Sequence, residues 1–131
     1  MSEEQSKTEG ESWAEHVLKA TGYSMAGIRA TLKHEMAFRI EVAAFIVLTP
    51  AALLVPVEPL VRFLVVASML LVLLVECLNS SLEWIVDYIS HDHHPYAKRA
   101  KDMGSAAVFF ALLNAGLFWG YALLSWGGVL S

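Results

Sequence analysis

The stretch FLVVASMLLVLLVECLNSSLEWIVD, from Phe63 to Asp87, is apolar enough to cross a lipid bilayer, and it decides the fold. It exceeds the ~20 residues that a membrane-spanning helix needs, and nothing before Glu76 in it is charged. A carboxylate at membrane depth costs roughly 3 kcal/mol or more on insertion scales, so such acids are rare and usually functional. The stretch therefore predicts a transmembrane helix that carries functional carboxylates.

Three more polar residues share the helical face of Glu76. At about 100° per residue, Asn79, Glu83 and Asp87 all fall within about 60° of Glu76. One helix thus presents an acid, an amide and two further acids in a polar stripe, with Glu76 the deepest acid. A functional stripe is the favoured interpretation. The alternative is a Glu76 carboxyl that only makes a hydrogen bond between helices.

Two further stretches are long and uncharged: Val42–Val57 over 16 residues and Met103–Ser131 over 29 residues. The whole chain is 56% hydrophobic and only 17% charged, with a mean hydropathy of +0.53. These values are typical of an all-α integral membrane protein rather than a soluble domain. We expect three spans, at about residues 36–55, 60–87 and 103–127. Prolines predict a turn over Pro50–Glu58 between the first two spans.

The N-terminal part is polar and differs from the rest of the chain. Residues 1–12 are acidic and lack periodicity, which predicts a disordered tail. Residues 13–34 are amphipathic, with aromatic and basic residues that suit a helix in the membrane interface. Residues 13–131 then form a single membrane domain. Outside the acidic tail the chain is nearly neutral, which argues against nucleic acid as a partner.

The Lys and Arg residues are distributed asymmetrically between the two ends of the predicted spans. Five lie before or at the start of the first span, three lie in the polar loop predicted over Tyr88–Asp102, and only Arg62 lies on the opposite side. The positive-inside rule places the N-terminus and this loop in the cytoplasm and the C-terminus outside.

Other polar residues have both a functional and a structural interpretation. Glu35 could join Glu83 in binding Mg²⁺ on phosphate oxygens, since that ion takes few protein oxygens plus those of a substrate. Spacing alone favours a solvated Glu35 paired with Arg39 at i+4. Lys101 could contact phosphate as a point charge, and the favoured alternative is an interfacial anchor that snorkels.

Three histidines, His91, His93 and His94, lie close together in the polar loop. One short loop that supplies all the ligands, without a spaced partner motif, is a weak signal for zinc.

Four motifs resemble those of the small prokaryotic diacylglycerol kinases. They are GYSMAGIRA (Gly22–Ala30), EMAFRIE (Glu35–Glu41), VECLNSSLEWIVD (Val75–Asp87) and RAKDMGSAAV (Arg99–Val108). The resemblance implies a homotrimer in the bacterial inner membrane, each protomer having an N-terminal amphipathic surface helix and three transmembrane helices. It implies transfer of the ATP γ-phosphate to the primary hydroxyl of diacylglycerol, with Mg²⁺ as cofactor.

The resemblance also implies roles for single residues. Glu76 would accept the hydroxyl proton of the lipid, Asn79 would help to position the reacting groups, and Glu35 and Glu83 would hold the metal. ATP would be contacted by Tyr23, Glu35, Glu83, Asp92, His94, Lys101 and Asp102. The lipid substrate would be contacted by Ser24, Arg29, Arg39, Glu41, Glu76 and Ser105.

The chain departs from the family pattern at three positions. His16 and Met25 stand where arginine and tryptophan are familiar, and Pro95 lies in a region that is usually free of proline.

Two other functions are alternatives to diacylglycerol phosphorylation. One is undecaprenol phosphorylation on the same scaffold, and the other is a non-catalytic membrane subunit whose acids relay protons. Three spans without an internal repeat are a poor match to a transporter.

Overall fold

The computed structural model describes residues 12–130, and in this part of the chain all regular structure is helical. The helices are α1 (Trp13–His34), α2 (Met36–Leu54), α3 (Pro59–Ile89) and α4 (Pro95–Trp126). α2, α3 and α4 are each long and apolar enough to cross a membrane. The all-α class with three long apolar helices is confirmed. The disordered tail predicted over residues 1–12 lies outside the described residues, apart from Ser12.

The chain divides into two compact units, and α1 belongs to the first, which ends at His34. α1 begins with a reciprocal cap: the backbone N–H of Ser12 donates to Glu15 Oε2 at 2.9 Å, and the backbone N–H of Glu15 donates to Ser12 Oγ at 3.3 Å. These hydrogen bonds hold the pKa of Glu15 below its usual value. No residue of α1 is buried within the structure, which is consistent with a helix that has an apolar face to place elsewhere.

The second unit begins at Glu35, and α3 is its central helix. α3 packs against both α2 and α4. Small residues mediate this packing, because they let helix backbones approach closely inside a membrane. Ala52 of α2 and Ala122 of α4 meet the Val65 region of α3, and Ala111 and Ala115 of α4 meet Val72.

The turn between α2 and α3 is shorter than the sequence predicts. α2 continues through Pro50 to Leu54, so the predicted turn over Pro50–Glu58 is wrong in its first half. Prolines are tolerated inside membrane-spanning helices, where neighbouring groups satisfy the freed backbone. Arg62 stabilises the turn, since its Nε donates to Val57 O at 3.0 Å and its Nη1 donates to Leu53 O at 3.3 Å.

The connection between α3 and α4 is also shorter than predicted. α3 ends at Ile89 and α4 begins at Pro95, so the polar loop predicted over Tyr88–Asp102 is wrong in extent. Proline suits the first helical turn, because its missing N–H would be unpaired there in any case. His94 caps the helix, accepting the Tyr96 N–H on Nδ1 at 3.2 Å. The charged residues after Pro95 therefore lie on a helix, which fixes their positions better than a loop would.

Candidate active site

Glu76 is the first residue of the polar stripe along α3, which continues through Asn79 and Glu83 to Asp87. Its side chain is buried, with 5% of the residue exposed, as is Ser80 one turn further on. Asn79 Nδ2 donates to Glu83 Oε1 at 3.5 Å, so the amide and the second acid are in contact. Asn79, Glu83 and Asp87 are half-buried. The structure thus brings a buried carboxyl, an amide and a second carboxyl together on one helix face.

Asn79 of α3 lies directly against Gly104 of α4. A Cβ added to Gly104 of α4 would overlap Asn79 Oδ1 at a distance that real side chains do not adopt. Asn79 Oδ1 is itself buried without a hydrogen-bond partner among the described residues. An unpaired buried acceptor is costly, and such atoms call for an explanation such as a ligand or an ion. Because Gly104 has no Cβ, the Asn79 side chain fits between α3 and α4.

Gly104→Ala is expected to lower the free energy of unfolding by about 1–3 kcal/mol, because the new methyl group must displace Asn79 or α4. The matched control is Gly120→Ala in the same helix, where an added Cβ meets nothing within 4 Å. Alanine favours a helix over glycine by up to about 1 kcal/mol, so the control should be neutral or slightly stabilising. Denaturation in detergent micelles, followed by circular dichroism, measures both variants. Equal stability of the two variants would contradict a tight contact at Gly104.

Glu35 reaches the same region of α3 from the start of α2. It is the N-cap residue of α2, with an extended backbone and no side-chain capping bond. Its Oε1 instead accepts the indole N–H of Trp84 at 3.0 Å. The predicted pairing of Glu35 with Arg39 is wrong: among the ion pairs of the described residues, none joins these two side chains. Glu35 therefore lies beside the residue that follows Glu83.

Lys101 joins α4 to α3 through an ion pair. Its Nζ lies 2.5 Å from Asp87 Oδ1, and the two side chains are 37% and 44% exposed. This contact differs from the snorkelling anchor that spacing favoured, because the ammonium group points to a specific carboxylate. Asp102 is paired separately, with Lys98 at i,i+4 and 2.5 Å. The polar stripe of α3 thus ends in a cation supplied by the neighbouring helix.

An open cavity of about 630 Å³ lies at the connection between α3 and α4. Asp87 and Lys101 line it, and so do Asp92 and His94, which the resemblance places beside ATP. The described residues contain no group of three or more His, Cys, Asp or Glu arranged to hold a metal. The zinc interpretation of the histidines therefore finds no support in this part of the chain.

The remaining predicted residues lie on α1, α2 and α4. Glu41, on α2, borders an apolar cleft of about 140 Å³ between α2 and α4, and its Oε2 is buried without a partner among the described residues. Arg39 and Ser105 are exposed on α2 and α4. Tyr23, Ser24 and Arg29 are exposed on α1, where the Ser24 hydroxyl donates to Ala20 O.

The family model for prokaryotic diacylglycerol kinase matches residues 22–123. A diacylglycerol kinase of Pseudomonas aeruginosa is 46% identical over 115 residues, which is 88% of this chain and 94% of that protein. The diacylglycerol kinase of Escherichia coli K12 is 42% identical over 110 residues, covering 84% of this chain and 88% of the relative. That of Haemophilus influenzae is 39% identical over 105 residues, or 80% and 89% of the two chains.

Proposed function

Because this chain belongs to the prokaryotic diacylglycerol kinase family, a family of lipid kinases, we propose that it transfers the γ-phosphate of ATP to diacylglycerol and yields phosphatidic acid. We place the reaction at the cytoplasmic surface of the bacterial inner membrane, with the N-terminus in the cytoplasm. One observation carries the proposal: a buried Glu76 shares its helix face with Asn79 and Glu83, in a chain that matches the family over these residues.

In the proposed mechanism Glu76 is the general base. Its carboxylate accepts the proton of the primary hydroxyl as that oxygen attacks the γ-phosphorus, and ADP leaves in line with the new bond. Proton removal by a positioned side chain contributes about 10²- to 10⁴-fold to a rate. Asn79 positions these groups, and its unpaired, buried Oδ1 supports a role as acceptor to a ligand.

Glu35 and Glu83 are the proposed ligands of Mg²⁺. A pair of carboxylates fits this ion, which is usually bound through one or two carboxylates plus its substrate. Glu35 accepts the indole N–H of Trp84, the residue that follows Glu83. When bound, Mg²⁺ would neutralise phosphate charge.

The nucleotide is proposed to occupy the cavity at the connection between α3 and α4. Lys101 would exchange Asp87 for a phosphate, which keeps the ammonium group paired with and without ATP. Asp92 and His94 line the cavity, which supports their proposed contact with the adenosine. Tyr23 and Asp102 are the further proposed ATP contacts.

The lipid is proposed to bind on the membrane side of Glu76. Glu41, with a buried and unpaired Oε2 beside an apolar cleft, suits a contact to a glycerol hydroxyl. Ser24, Arg29, Arg39 and Ser105 are the other proposed lipid contacts. We also propose that the protein acts as a homotrimer, for which the support is family membership.

The test is incorporation of radiolabelled γ-phosphate into lipid by purified protein in detergent micelles containing Mg²⁺. We expect a labelled phosphatidic acid from diacylglycerol, and a lower kcat/KM for undecaprenol measured in parallel. A kcat/KM that favours undecaprenol would replace the proposed substrate and retain the kinase scaffold. If no phosphate is transferred from ATP to either lipid, the result would contradict the kinase function and would favour the proton-relay interpretation.

A further inference from the structure

We propose that Trp84 is a positioning residue that holds the Glu35 carboxylate in the orientation required to bind Mg²⁺. This inference rests on the proposed function, because it takes Glu35 as a metal ligand. It adds a residue outside the acidic and amide set and gives a reason for the conformation of Glu35.

The contact joins two helices of the same protomer. Trp84 Nε1 and Glu35 Oε1 lie 3.0 Å apart, although the two residues are 49 positions apart in the chain. An indole N–H can only donate, so its partner must be an acceptor such as a carboxylate oxygen. The bond is therefore a directional one to a charged group, the kind that is stronger than a neutral hydrogen bond.

At the start of α2, the Glu35 side chain makes no capping hydrogen bond to its own helix, so it can accept one from another helix. Many N-cap residues fold their side chain back onto the first helical turn, but Glu35 makes no side-chain capping bond. Its backbone is extended, with φ −108° and ψ 114°, so Glu35 itself lies outside the first helical turn. Trp84 instead holds one carboxylate oxygen, and the second oxygen stays available to a cation.

The position of Trp84 on α3 links the two proposed metal ligands. Trp84 directly follows Glu83, so one segment of α3 supplies one carboxylate and the group that orients the other. A shift of α2 against α3 would therefore move Glu35 away from Trp84 and from Glu83 at the same time. Groups that hydrogen-bond to metal ligands commonly affect metal affinity by about 10- to 100-fold.

The experiment measures metal binding without turnover. Mn²⁺ is titrated into the full-length protein in micelles with a non-hydrolysable ATP analogue, and free Mn²⁺ is followed by electron paramagnetic resonance. Trp84→Phe keeps the aromatic ring and removes the donor, and we expect the Kd for Mn²⁺ to rise about tenfold. In turnover assays the Mg²⁺ concentration for half-maximal activity should rise similarly, with kcat at saturating Mg²⁺ largely kept.

Trp119→Phe is the matched control. It also removes an indole donor that bonds to α3, since Trp119 Nε1 donates to Met69 Sδ at 3.4 Å. That contact lies in the apolar part of the helix, away from both carboxylates. We expect the Kd for Mn²⁺ to stay at its wild-type value.

Trp84→His and Glu35→Gln distinguish a wrong role for Trp84 from a wrong metal assignment for Glu35. Trp84→His keeps a ring N–H and should recover part of the affinity that Trp84→Phe loses. Equal losses in the His and Phe variants would show a packing role and overturn the proposal. So would a wild-type Kd for Trp84→Phe alongside a raised Kd for Glu35→Gln, and that result would leave the proposed function intact. A wild-type Kd for Glu35→Gln would instead remove the metal assignment itself.

Discussion

Replacing Glu76 by glutamine should lower kcat for diacylglycerol phosphorylation by about 100- to 10,000-fold, with little change in the KM for MgATP. Glutamine has nearly the same size and shape as glutamate, but its amide cannot take up the hydroxyl proton. Glu76 is buried on α3, so the substitution keeps the packing and removes only the basic group. Steady-state kinetics with short-chain diacylglycerol in micelles measure both constants.

Two controls separate this loss from misfolding. Glu58→Gln changes an exposed carboxylate at the other end of α3 and should keep wild-type kinetics. Chemical cross-linking should give the same oligomer for Glu76→Gln and for the wild type. Wild-type-like turnover by Glu76→Gln would end the assignment of Glu76 as the base.

The second large effect is expected for Glu83→Gln. This change removes one proposed metal carboxylate and the charged acceptor of the Asn79 amide. We expect kcat/KM for MgATP to fall by about 100- to 1,000-fold, since the substitution weakens the electrostatic stabilisation of the phosphates. The Mg²⁺ concentration for half-maximal activity should rise as well.

The response to added Mg²⁺ distinguishes the two acids. Activity of Glu83→Gln should recover in part at high Mg²⁺, because a weakened site can still be filled. Activity of Glu76→Gln should not recover, because its defect is in proton transfer. A Glu83→Gln variant with a wild-type Mg²⁺ activation curve would show that this carboxylate does not hold the metal.

The helical class and the three apolar helices could be predicted from the sequence alone. Long runs without charge have few options in a membrane, where every backbone group must be satisfied within a helix or a closed barrel. The shared face of Glu76, Asn79 and Glu83 was equally predictable, because it depends only on the helical repeat.

The extents of the turns were predicted less well, and proline explains both errors. The sequence predicts a turn that starts at Pro50, but Pro50 lies inside α2. The sequence predicts a polar loop around Pro95, but Pro95 begins α4. Proline has one preferred φ value and no N–H, which suits a turn, a helix start and a membrane helix with other partners. Sequence position alone does not separate these three cases.

Contacts between helices could not be predicted from local sequence patterns. Pairing of Glu35 with Arg39 assumed that both are in a helix, whereas Glu35 is the cap outside it. Its partner Trp84 is far along the chain, and no periodicity connects the two. The small residues of α4 carried a usable signal, since Gly104, Ala111, Ala115 and Ala122 recur on one helical face and predict close packing.

The proposed reaction is a single direct phosphoryl transfer in which Glu76 acts as a base rather than as a phosphate carrier. Carboxylates can also be nucleophiles that form an acyl phosphate, and a buried Glu76 has the chemistry for either role. The most direct measurement uses ATP that is chiral at the γ-phosphorus through oxygen isotopes and sulfur, with analysis of the thiophosphorylated lipid. Inversion of configuration is the result that a single in-line displacement predicts. Retention would require two displacements and would contradict the account.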